Sequence, residues 1–108
     1  MGANGTVFPG SFHAGQLYAF DGLYELAIHR FKKSFNPNEE KQSELSWNTY
    51  VKATIAFLNK NKAELKSARE EMNLKNETPG NQLNEGVVNR LLHCTDRSYK
   101  DAYTRICE

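Results

Sequence analysis

Apolar residues recur along most of this chain at steps of three and four. Leu17, Phe20, Tyr24, Ala27, Ile28, Phe31 and Phe35 keep that spacing, which places them on one face of an amphipathic helix over about residues 16–35. Asp21 near its start and Lys32 and Lys33 near its end suit the helix dipole. The same stretch supports a second reading, because Asp21-Gly22 between two short apolar runs is also a strong β-hairpin signal. Over residues 17–28 the pattern alone leaves helix and hairpin both open.

Asn36-Pro37-Asn38-Glu39 has the order of a capping box with proline at the first helical position. A second helix is predicted from there, carrying Trp47, Val51, Ile55, Leu58, Leu65 and Met72 towards Asn73. Its weak point is Asn59 to Lys62, where a kink is expected. Residues 74–82 are dense in turn formers and predict a loop. Leu83, Val87, Val88, Leu91 and Leu92 then return to helical spacing, and Thr95 is placed to cap a last short helix with Tyr99, Ala102, Tyr103 and Ile106. Before all of these, residues 1–15 are broken by Gly2, Gly5, Pro9, Gly10 and Gly15 and predict an irregular N-terminal arm. The expected fold is therefore all-α: one small domain over residues 16–108, a bundle of four to five antiparallel helices behind that arm.

Fourteen basic against thirteen acidic side chains leave a formal net charge of +1, so no broad positive field is present to draw a nucleic acid. A helix-turn-helix over residues 62–73 and 84–93 fails on its turn, which is several residues too long. No stretch reaches the roughly 20 apolar residues of a membrane span, and the first twenty residues lack the basic-then-apolar order of a secretion signal. The expected partner is accordingly another protein, with no nucleic acid and no integral membrane association.

The residues offer little catalytic chemistry. His93 beside Cys94 suggests a dyad, but consecutive helical residues point about 100° apart. His13, His29 and His93 have no metal-ligand spacing with the cysteines, and the pairs Asp21/Glu25 and Glu39/Glu40 sit where helices begin. No catalytic residue, cofactor site or metal site is expected. Asn4-Gly5-Thr6 and Asn76-Glu77-Thr78 match the glycosylation sequon and Met1-Gly2 opens a myristoylation pattern, but the two imply opposite sides of a membrane. Phe8-Pro9-Gly10-Ser11-Phe12-His13-Ala14-Gly15-Gln16 resembles the Pro-Gly-Ser-Phe…His-x-Gly-His signature of the nucleotidyltransferase superfamily. The resemblance implies a parallel α/β sheet and triphosphate-binding histidines. The second histidine is Gln16, the spacer before His13 is missing and no strand-rich pattern follows, so no residue role is carried over.

Cys94 and Cys107 are the two cysteines. In one continuous helix their Cα atoms would lie about 20 Å apart, whereas a disulfide needs less than about 7 Å. A bond therefore requires a reversal near Thr95-Asp96, and it would close a loop worth roughly 3 kcal/mol. An even cysteine count near the end of a short chain predicts that bond and a secreted or periplasmic location; two reduced cysteines in a cytoplasmic protein are the alternative. The functional expectation is a non-enzymatic protein-binding domain of the inhibitor, immunity-protein or small-effector kind, with Tyr18, Trp47, Tyr50, Tyr99 and Tyr103 as interface anchors. One alternative is a cytoplasmic structural or regulatory subunit packing the Leu58, Leu65 and Met72 stripe against a partner chain. Another is a small hydrophobic-ligand carrier.

Overall fold

A computed structural model describes residues 9–37, 47–74 and 78–104. Among them are six helices and no strand: α1 (Pro9–Phe20), α2 (Tyr24–Lys32), α3 (Trp47–Leu58), α4 (Lys62–Asn73), α5 (Pro79–His93) and α6 (Tyr99–Thr104). The all-α domain expected from the periodicity is the fold. Residues 9–15, expected in the irregular arm, are helical instead, since the helix begins at Pro9, where proline's fixed φ suits a first helical turn; residues 1–8 lie outside the described residues. Residues 9–16 of the segment resembling the nucleotidyltransferase signature are thus the first two turns of α1.

Both readings of residues 17–28 missed the actual arrangement, in which two helices are joined by a tight turn. Leu23 N–H donates to Tyr18 O at 2.9 Å and Gly22 N–H to Ala19 O at 3.0 Å, the paired bonds of a Schellman ending, with Gly22 in the left-handed position at φ +80°. The Asp21-Gly22 signal was a genuine turn, but it reverses helices rather than strands.

The kink expected at 59–62 is a complete break with the same geometry. Asn61 N–H donates to Ala56 O at 2.9 Å and Lys60 N–H to Phe57 O at 3.0 Å, with Lys60 at φ +58°. A side chain there costs about 1 kcal/mol, and three contacts offset it. Lys60 Nζ donates to Thr95 O at 2.9 Å and Arg97 O at 3.0 Å, and it stands 4.6 Å from the centroid of the Phe57 ring. This lysine ties the α3–α4 turn to the α5–α6 turn. Asn61 then starts the next helix, its Oδ1 accepting from Glu64 N–H at 3.2 Å.

Helix α5 begins at Thr78-Pro79, inside the stretch of residues 74–82 expected as a loop, because Thr78 Oγ1 accepts from Asn81 N–H at 3.2 Å and proline suits the first helical position. The last helix is capped by Ser98 rather than Thr95: Ser98 Oγ accepts from Asp101 N–H at 3.2 Å. Thr95 is used instead by the turn at 94–97, closed by Arg97 N–H to Cys94 O at 2.9 Å. The capping box at Asn36-Pro37 runs into residues outside the described set. What leads away from α2 is latched to α3: Asn48 Oδ1 accepts from Asn36 N–H at 2.7 Å while Asn48 Nδ2 donates to Asn36 O at 2.8 Å. Beside it, Trp47 Nε1 donates to Ser34 O at 2.7 Å.

The core has an aromatic half and an aliphatic half. Phe31 is buried with Phe12 at 4.8 Å and Tyr99 at 6.4 Å between centroids, and Tyr99 meets Phe20, Phe57 and Tyr103. Tyr99 thus joins α1, α2, α3 and α6 through ring contacts worth about 1 kcal/mol each beyond burial. Leu65, Met72, Val88 and Leu91 form the aliphatic half from α4 and α5. The seven-residue stripe of Val51, Leu58, Leu65 and Met72 is wholly buried, but it belongs to two helices folded together. Leu58, Leu65 and Met72 therefore serve the chain's own core rather than a free stripe for a partner.

Candidate interaction surface

The aromatic residues expected to anchor an interface are occupied by the fold. Tyr50 and Tyr99 are only 4% and 1% exposed, which withdraws both from the surface. The Tyr99 hydroxyl accepts from Gln16 Nε2 at 3.3 Å, and the Tyr24 hydroxyl accepts from Tyr99 N–H at 2.9 Å. Burial raises both the Tyr50 and the Tyr99 phenol well above the ordinary tyrosine range. Tyr18, Trp47 and Tyr103 are half-buried and pack against the same core. Trp47 sets its ring at a tilt, 5.0 Å from Phe12 and 5.8 Å from Tyr50 between centroids, and Tyr103 O accepts from Arg90 Nη2 at 3.2 Å.

The surface that remains apolar is elsewhere, on the α1–α2 hairpin. Helix α1 carries no acidic and no lysine or arginine side chain from Pro9 to Phe20. Its inward face is Phe12, Gly15 and Ala19, all buried, and its outward residues include Gly10, His13 and Leu17. A solvated helix normally turns a charged face outward; α1 turns out an uncharged one. Leu17 is 59% exposed, and Leu23 in the turn and Leu26 early in α2 are 47% and 50% exposed. Leu23 and Leu26 line a shallow hollow of about 270 Å³ with Tyr24 and Glu25. Single exposed leucines are ordinary; three within one turn of a reversal, beside a helix face without charge, form a surface suited to a partner.

Leu17 was expected on the inward face. That expectation carried one helical phase from residue 16 to 35, and the Schellman turn resets it. Leu83, placed by periodicity on the α5 stripe, is likewise exposed. Sequence reasoning missed the hairpin surface, although its signal was legible: twelve residues of helix with no charge to turn towards water.

A second concavity of about 350 Å³ lies between the end of α2, α3 and α4. Phe35, Ile55 and Ala68 supply its apolar wall, while Lys32, Lys52 and Glu71 bring both signs of charge. Glu71 Oε2 accepts from Thr49 Oγ1 at 3.1 Å. Its volume is at the small end for a ligand site. Among the described residues no three His, Cys, Asp or Glu side chains are grouped to hold a metal ion, and no helix is long and apolar enough to cross a membrane.

Cys94 is fully buried at the end of α5 and is engaged rather than unpaired; Cys107 lies outside the described residues. The chain does turn at 94–97, the reversal that a bond between these cysteines requires. Compared with known protein families, with curated proteins and with solved structures, the chain matches none of them.

Proposed function

We propose that this chain is a non-enzymatic protein-binding domain whose contact surface is the outer face of the α1–α2 hairpin. One observation carries the reading: a helix without charge presents Leu17 to solvent next to Leu23 and Leu26. The closed aromatic core behind it gives those leucines a rigid support, which lowers the entropy lost on association. A small exported inhibitor, immunity protein or effector would be built in this way.

The test is retention of a partner from the protein's native source. Wild-type protein should retain a specific partner, and the combined variant Leu17→Glu, Leu23→Glu and Leu26→Glu should bind it at least about tenfold more weakly, since apolar anchors contribute on the order of 1–2 kcal/mol each. All three positions are exposed, so helix content should be unchanged. Equal retention by the variant would remove the hairpin as the contact surface, and no partner under any condition would end the protein-binding reading.

The location proposed is an oxidising compartment, with Cys94 bonded to Cys107. The buried, engaged Cys94 and the turn that follows it support this. Alkylation before and after reduction, on protein from its native source, should show no accessible thiol before and two after. Two alkylated thiols in the denatured, unreduced protein would move the chain to a reducing compartment.

A further inference from the structure

Helix α4 separates its charges. Glu64 and Glu71 line the cleft it shares with α2 and α3, whereas Lys62, Lys66 and Arg69 line a different groove, the one between α4 and α5. Spaced by four and three residues, these cations form a row about 10 Å long on one helix face. Asn89, Leu92 and His93 of α5 complete the groove, about 390 Å³ in volume, and no carboxylate is among its described lining residues.

Two features of the row run against stability and so call for a ligand. Arg69 Nε is buried and has no hydrogen-bond partner, although a buried donor on a charged group costs stability unless it is satisfied. Lys62 occupies the first position of α4, where the positive end of the helix dipole disfavours a cation. A carboxylate entering the groove pairs with the charged guanidinium of Arg69 where that side chain lines it, and it offsets the crowding of cations at the start of α4, with the lysines holding further negative charge nearby.

We propose that the α4–α5 groove binds an acidic peptide segment of a partner protein, through Arg69 with Lys62 and Lys66. A nucleic acid is the poorer fit. Among its described lining residues only the His93 ring could stack on a base, with no phenylalanine, tyrosine or tryptophan beside it, and the chain's net charge of +1 supplies no wider field to hold a phosphate backbone. The groove is lined by none of the hairpin leucines, so this inference stands or falls apart from the hairpin surface.

The test uses the full chain, with a labelled oligoglutamate peptide as probe, an oligoglutamine peptide and a short oligothymidylate as comparisons, and fluorescence anisotropy at low salt. Oligoglutamate should bind and oligoglutamine should not. Arg69→Gln should weaken binding about tenfold, and the exposed double variant Lys62→Gln, Lys66→Gln should do so by a similar factor while leaving the fold intact. A control pair in the opposite cleft, Lys32→Gln with Lys52→Gln, should change binding less than about twofold. No binding of oligoglutamate, equal loss in the control pair, or tighter binding of oligothymidylate would each overturn the proposal.

Discussion

Between pH 10 and pH 12 the fold should lose about 5 kcal/mol of stability and unfold. Tyr50 and Tyr99 are neutral phenols in the core, and each is held well above its ordinary range. For Tyr50 the main cause is burial, strengthened by the nearby Tyr99 and Tyr103 and opposed by Arg90. For Tyr99 it is again burial, opposed by the hydrogen bond from Gln16, with Tyr103 adding to the rise. An unfolded tyrosine ionises near pH 10. Below that value neither state releases the proton, and the stability these groups allow is fully present. Above it the unfolded chain releases protons that the folded chain retains, so stability falls by about 1.4 kcal/mol per pH unit for each phenol. Two phenols over two units give the figure above, which is comparable to the whole stability of a domain this size, roughly 5–15 kcal/mol. Circular dichroism and tyrosinate absorbance should therefore change together in one transition. Tyr50→Phe should halve the pH slope of stability in that range. Ionisation of all five tyrosines near pH 10 with the helices intact would show that the two phenols are not shielded.

This dependence was invisible in the sequence, which marks a tyrosine but not the side of the fold it faces. By residue type Tyr50 and Tyr99 suggest interface anchors, because tyrosine tolerates exposure, but their position is decided by neighbours far away in sequence, such as Gln16 and Phe31 for Tyr99. What the sequence did specify was local. The stripe from Val51 to Met72 marks buried positions correctly, whereas Thr78-Pro79, which reads as part of a loop over residues 74–82, starts a helix because the threonine oxygen and the proline ring act within one turn. Its error was to carry periodicity through turns. Asp21-Gly22 could be read as a turn, since glycine tolerates a positive φ, but Lys60 in the same conformation could not. Its side-chain ammonium is held by the carbonyls of Thr95 and Arg97, thirty-five and thirty-seven residues on.

The same limit applies to the surfaces. Lys62, Lys66 and Arg69 alternate with Glu64, Glu70 and Glu71 along the chain, so they read as an ordinary solvated helix face. Only the placement of α4 between two neighbours sorts these cations into one groove and Glu64 and Glu71 into another. The hairpin surface was closer to legible, because an uncharged helix has nothing to offer water in any phase. With the aromatic side chains closed into a core, the recognition proposed here falls to leucines and basic groups that the composition did not single out.

Phe31→Ala should cost about 4 kcal/mol, and it should reverse the effect of a second substitution one helix away. Phe31 is completely buried between Phe12 and Tyr99, so truncation leaves a cavity that rigid rings on both sides cannot fill. The ring lies against the backbone of Gly15, where a Cβ would stand 2.7 Å from two of its atoms and 3.1 Å from a third. Gly15→Ala alone should therefore destabilise by about 1–2 kcal/mol, the overpacking cost exceeding the roughly 1 kcal/mol gained in helix propensity. With Phe31 already truncated, the new methyl group enters empty space and the propensity gain remains, so Gly15→Ala should stabilise by about 1 kcal/mol. The cycle measured by chemical denaturation should thus show a coupling of about 2–3 kcal/mol, far above the few tenths expected of independent sites. Additive effects, or a stabilising Gly15→Ala in the wild-type background, would mean that α1 and α2 do not approach this closely. The requirement for glycine at residue 15 is then a packing requirement: it lets α1 lie on the Phe31 ring, and that contact fixes which side of α1 is left to present Leu17.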